Sequence, residues 1–111
     1  MTDKYPSRPE EIVLLAVWKL KEDAYGLAIR DLIQDMTGKH WSVGAIYVPL
    51  ERLEKKGLLK SHTSDPRPER GGRRKRLFKL TRAGVRELDE LSRINAVLWQ
   101  GYPRFSPKEH G

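Results

Sequence analysis

Ten residues, Arg67-Pro-Glu-Arg-Gly-Gly-Arg-Arg-Lys-Arg76, carry six basic side chains against the single acid Glu69. Guanidinium groups at this density bind oxyanions, phosphate above all, through charge-assisted hydrogen bonds. A second segment lies just upstream, Ser42-Val-Gly-Ala-Ile-Tyr-Val-Pro-Leu-Glu-Arg-Leu-Glu-Lys-Lys-Gly57. Gly44 and Ala45 have almost no side chain, so a backbone there can come close to base edges. Tyr47 offers a hydroxyl to phosphate, and Val48 a methyl contact for thymine. Arg52, further along, suits phosphate or the protein interior. A charge run alone is a weak signal and is often only a solvated face. Following a helix of this composition, the arginine loop reads as a second contact on phosphate or in a narrow minor groove.

Those residues need elements to hold them. Glu10 and Glu11 suit a helix N-terminus, and the nearly continuous apolar run from Ile12 to Leu20 predicts a helix buried on most sides. After the polar break Lys21–Ala24, residues Tyr25, Ala28, Ile29, Leu32, Ile33 and Met36 recur at helical spacing. Gly38 then stands where a left-handed cap belongs. Lys39, His40 and Trp41 form a short turn, and Ser42 can cap the next helix. In that helix Ile46, Leu50 and Leu53 make an inward stripe. The opposite face holds Gly44, Ala45, Tyr47, Val48, Glu51, Arg52 and Lys55. Pro49 removes one helical hydrogen bond and should bend the helix near its start, and Gly57 ends it. Leu58–Thr63 and Lys75–Thr81 read as two strands, with Arg76, Phe78 and Leu80 on one face and Gly71-Gly72 as turn material. Thr81 caps a last helix running to about Gln100, with Val85, Leu88, Leu91, Ile94, Leu98 and Trp99 as an apolar ridge. The tail from Gly101 reads as frayed.

The order is helix, helix, turn, helix, two strands, helix. A short turn between the second and third helices is the layout of a helix-turn-helix unit, whose second helix enters the major groove N-terminus first. Composition agrees with such a partner. In 111 residues there are 22 Lys and Arg against 15 Asp and Glu, a formal charge of +7. That bias favours a polyanion. The chain has no cysteine, so disulfides, zinc thiolates and thiol nucleophiles are excluded. No apolar run is long enough to span a bilayer, and no signal-peptide pattern opens the chain. The expected location is the cytoplasm.

Gly44-Ala-Ile-Tyr47, Leu50-Glu-Arg-Leu-Glu-Lys-Lys-Gly-Leu58, Gly71-Gly-Arg-Arg-Lys75 and Phe78-Lys-Leu-Thr-Arg-Ala-Gly84 together resemble the PadR family of bacterial transcriptional regulators. The resemblance covers roughly residues 10–98. Other winged-helix families, MarR and ArsR among them, share only the broad layout. It implies a mostly α (α+β) fold, a winged helix-turn-helix with a two-stranded β-hairpin wing and a C-terminal dimerisation helix. On this reading residues 1–9 are a flexible leader and 10–81 the DNA-binding domain. Residues 82–100 form the dimerisation helix and 101–111 a flexible tail. The implied activity is that of a homodimer on double-stranded DNA, usually a repressor. Candidate DNA contacts are Lys39, His40, Ser42, Gly44, Ala45, Tyr47, Val48, Arg52, Arg70, Arg73, Arg74, Lys75 and Arg76. Candidate dimer residues are Val85, Leu88, Leu91, Ile94, Asn95, Leu98 and Trp99. This sequence departs from the family pattern in having Val48 between the tyrosine and the proline. It also stops after one C-terminal helix, like the shorter members.

Other groups carry less. Trp18 and Trp99 could receive a small flat aromatic effector, but core packing for Trp18, and interface or turn packing for Trp41 and Trp99, is the preferred reading. His40, His62 and His110 lack ligand spacing, so no metal or other cofactor is expected. No nucleophile–base pair or catalytic carboxylate pair is evident, and Gly71-Gly72 lacks the Lys-Ser/Thr of a phosphate loop, so an enzyme is not expected. The competing reading is a winged helix that docks an acidic protein partner.

Overall fold

Ser7 and Glu10 set the start of the first helix. The Ser7 Oγ accepts from the Glu10 N–H at 3.3 Å, and the Glu10 carboxylate accepts from the Ser7 N–H at 2.8 Å. This reciprocal box starts the helix at Arg8, two residues before the acids suggest. Part of the segment expected to be a loose leader is therefore helical. The computed structural model describes residues 5–64 and 74–103. In chain order it forms α1 (Arg8–Leu20), a single 3₁₀ turn (Lys21–Asp23), α2 (Gly26–Thr37), α3 (Val43–Lys55), β1 (Leu59–Thr63), β2 (Arg76–Leu80) and α4 (Arg82–Leu98). None of the helices among the described residues is long and apolar enough to cross a membrane.

One core joins all but α4's far end. α1 contributes Val13, Leu14, Ala16 and Val17; α2 contributes Ile29 and Ile33; α3 contributes Ile46, Leu50 and Leu53. Leu59 and Phe78 close it from the hairpin. The expectation that α1 is buried on most sides is corrected by its outer face, where Leu15 and Trp18 are exposed. They stand three apart on a helix that already fills the core with its other stripe. Core packing for Trp18 fails with it: the ring is 49% exposed, with Lys21 Nζ 4.3 Å from its centroid.

The junctions follow local chemistry. Gly38 adopts φ 70° and donates its N–H to Gln34 O, ending α2 as its position implies. Ser42 Oγ accepts from the Ala45 N–H at 3.1 Å and opens α3. Between them the Trp41 N–H donates to Gln34 Oε1, which pins the turn. β1 and β2 pair antiparallel, Leu59 opposite Leu80 and Thr63 opposite Arg76. Beside β2, Tyr25 bridges Leu77, and the Phe78 N–H donates to Ala24 O at 2.8 Å. This extra pairing fastens the hairpin to the start of α2.

α4 is stapled to the end of α3. Thr81 Oγ1 donates to Gly57 O at 2.6 Å and accepts from the Gly84 N–H. A side chain at Gly84 would run into the Leu58 carbonyl, so only glycine allows this approach. α1 is tied to α3 by Glu10, which is buried and accepts from Lys56 Nζ at 3.0 and 3.2 Å. Burial opposes ionisation of Glu10, but the Ser7 N–H and the Lys56 ammonium outweigh it and hold the carboxyl below its usual range. A depressed carboxyl stabilises the fold above the ordinary value of 4.5, and that contribution disappears as pH falls through the lower folded value. Glu10→Gln is expected to lower stability at pH 7 by about 1–3 kcal/mol, as loss of hydrogen bonds to a charged group does. Urea unfolding at pH 7 and at pH 3 should show the gap from the unsubstituted protein narrowing in acid. Equal gaps at both pH values would contradict this role.

Candidate nucleic-acid interface

α3 divides cleanly. Ile46, Leu50 and Leu53 are fully buried, whereas Ser42, Gly44, Ala45, Val48 and Arg52 face outward. Pro49 lies inside the helix, which runs through it without a break, and its ring is buried. It faces the start of α1, beside Ser7, Pro9 and Glu10, where a shallow hollow separates that helix from α3. Lys39 and His40 are exposed in the turn ahead of α3.

Tyr47 departs from the outward face assigned to it. It is half-buried against the core, and its hydroxyl leans over Gly26 at the start of α2. A Cβ at residue 26 would overlap that hydroxyl, so glycine at this position is what admits Tyr47. Sequence reasoning missed Gly26, because a glycine at the first position of a helix has many bland explanations.

The basic loop is described only at its base. Arg70 and Arg73 lie outside the described residues. Arg74 is exposed, and Lys75 is half-buried with its ammonium 3.7 Å from the Tyr25 ring centroid. The ladder extends one step past the strands, since the Ser64 N–H donates to Lys75 O at 2.7 Å and Ser64 Oγ accepts from the Lys75 N–H at 2.9 Å.

Arg76 requires a correction. Its Nη2 donates to Glu51 Oε1 at 2.9 Å and to Glu54 Oε1 at 2.5 Å, its Nε donates to Ser61 Oγ, and the guanidinium lies over Phe78. Ser61 Oγ in turn donates to Glu54 Oε2. The hydrogen bond to Glu51 raises the Arg76 pKa against the effect of burial, with the charges of Glu51 and Glu54 adding to it. β2's alternation points the Arg76 guanidinium toward α3, where two carboxylates hold it, although its side chain stays 38% exposed. Arg76 also neutralises two acids that would otherwise face a polyanion from the outer side of α3.

The ridge of α4 splits in two. Leu88 packs against the core and Leu91 is buried by its own chain. Asn95 donates to Glu11 Oε2 at 2.7 Å, and Ile94 is half-buried. These four are therefore satisfied, wholly or partly, within one chain. Val85 is exposed, and Val97, Leu98 and Trp99 are 61%, 71% and 62% exposed, with the Tyr102 ring edge-on to Trp99 at 5.4 Å. Trp18 lies elsewhere, lining a groove of about 690 Å³ with Val17, Lys21, His62, Leu77 and Val85. Trp99 is not among the residues that line this groove.

Comparison with known proteins places the fold and the family. The profile of the transcriptional regulator PadR-like family matches residues 14–90. A PadR family transcriptional regulator from Eggerthella lenta DSM 2243 is 30% identical, over 81% of this chain and 76% of that one, with a TM-score of 0.66. A PadR family transcription regulator from Clostridium difficile R20291 is 24% identical over 83% and 90% of the two chains, TM-score 0.67. A protein of Streptococcus mutans UA159 is 26% identical and covers 94% of this chain and 100% of its own, TM-score 0.64. Among curated proteins none matches. The hairpin behind α3 is thus the wing of a winged helix-turn-helix, and the chain belongs to the PadR-like family of transcriptional regulators.

Proposed function

We propose that this regulator is a homodimeric, sequence-specific DNA-binding repressor, working in the cytoplasm with α3 in the major groove. One observation carries the reading. α3 buries Ile46, Leu50 and Leu53 completely and turns outward a face of small and apolar residues, Gly44, Ala45 and Val48, ending in Arg52. A helix anchored this way can bring its backbone near base edges. Arg74 and Lys75, with Arg70 and Arg73 from the loop, supply the phosphate or minor-groove contact. Arg76 supports the wing instead. The two PadR relatives from Clostridium difficile and Eggerthella lenta are transcription regulators by name, which agrees with this use of the fold.

The dimer rests on the exposed end of α4. Val97, Leu98 and Trp99 leave apolar side chains exposed around the end of α4, and the Tyr102 ring packs edge-on against Trp99. Four large apolar side chains exposed within six residues are surface that a second copy could cover. A flat aromatic effector would find Trp18 in the groove with Val17, Lys21, His62, Leu77 and Val85, and Trp99 exposed at the end of α4.

Two measurements test these claims. Replacing Arg73, Arg74 and Lys75 with alanine is expected to weaken binding to every duplex sequence. The slope of log affinity against log salt should fall by about 0.9 for each phosphate that the variant no longer neutralises. An unchanged slope would exclude the wing from phosphate binding. Leu98→Asp combined with Trp99→Asp is expected to give monomers in sedimentation velocity with little change in melting, since both side chains are exposed in the single chain. A persisting dimer would move the interface off the end of α4.

A further inference from the structure

Arg76 is the first residue of β2, so it stands at the root of the wing, where the arginine loop rejoins the sheet. The two ends of the hairpin are held differently. At the near end Leu59 and Phe78 are buried in the core. At the far end Thr63, which is exposed, stands opposite Arg76. A two-stranded hairpin is only marginally stable alone, so this end needs a tie from outside. On the α2 side Tyr25 supplies one through its bridge to Leu77. On the α3 side the tie is polar. The Arg76 guanidinium donates to Glu51 and Glu54 of α3 and to Ser61 of β1, and Ser61 Oγ donates back to Glu54. Both strands are therefore joined to α3 through one cluster.

Glu51 stands three residues after Val48 and seven after Gly44, on the same side of α3 as those outward residues. Lys55 lines the hollow beside both acids, but among the described residues the ion pairs of Glu51 and Glu54 run to Arg76. A single exposed ion pair contributes little. Several charge-assisted bonds on one planar guanidinium hold a geometry better.

We propose that Arg76 is a positioning residue, a latch that holds the root of the wing against α3 through Glu51 and Glu54 without touching phosphate itself. With the latch closed, the phosphate-binding residues of the wing and the outward face of α3 meet one duplex at a fixed angle. With it open, the two must be ordered relative to each other on binding, which costs affinity. The two acids are then part of the binding apparatus, although their charge has the same sign as that of DNA. This inference rests on the DNA reading above and adds to it what fixes the wing relative to the recognition helix.

The test uses the full chain and a random-sequence duplex of about thirty base pairs, whose binding needs no known operator. Anisotropy titrations at one salt concentration compare the unsubstituted protein, Arg76→Gln, Glu51→Ala with Glu54→Ala, and the triple variant, with melting curves for each. A residue that acts through others loses its effect once they are gone, and a double-mutant cycle reads that loss. Arg76→Gln is expected to weaken binding about three- to tenfold with both acids present, and by less than about twofold with both replaced. Glu51→Ala with Glu54→Ala should itself weaken binding, although it removes two negative charges. This second route keeps the test decisive even if Arg76→Gln folds poorly. An equal loss from Arg76→Gln in both backgrounds, or unchanged or tighter binding without the two acids, would overturn the latch alone. Failure of the unsubstituted protein to bind any duplex would overturn the DNA reading and the latch with it.

Discussion

The inward stripe of α3 is the constraint on which the rest depends. A helix turned by one residue rotates its faces by about 100°, so Ile46, Leu50 and Leu53 in the core settle which side chains look outward. Each end of the helix is then fixed separately. Ser42 caps its start, and Lys56, just past its end, reaches the buried Glu10 of α1. Thr81 holds the Gly57 carbonyl from the start of α4. The wing is joined to the same helix through Arg76. A displacement of α3 would therefore disturb α1, the wing and α4 together.

Charge is distributed to suit that frame. The net +7 describes the whole chain, but its placement matters more than its sum. Glu51 and Glu54, on the outer side of α3, are drawn onto Arg76 and masked. Arg52 on α3, Lys39 and His40 in the turn before it, and Arg74 at the base of the wing stay exposed. Arg30, on α2, is neither well paired nor fully exposed.

Much of the fold is legible in the sequence because caps and periodicity are local. Ser42, Thr81, Gly38 and Gly57 end or begin helices where their chemistry says they should. The order of elements and the pairing of the two strands follow from the same signals. The capping box at Ser7 and Glu10 is local too, but Pro6 and Pro9 beside it suggest a loose leader. What cannot be read locally depends on which element lies opposite. Arg76 reads as one more loop arginine until β2's alternation turns it toward two acids of α3. Tyr47 reads as a surface hydroxyl until Gly26 opens room for it. Leu91 and Leu98 sit on one ridge in sequence, but only the end of α4 extends past its own core. Trp18 is exposed because helical alternation within an all-apolar run leaves no sequence mark.

The central claim is that the outward face of α3 reads base edges, with two copies acting together. Selection of bound fragments from a random duplex pool tests it most directly. The account predicts enrichment of a two-fold symmetric site whose half-sites lie about one helical turn apart, roughly 34–36 Å. A folded, dimeric protein that binds the pool but never enriches any sequence would contradict it.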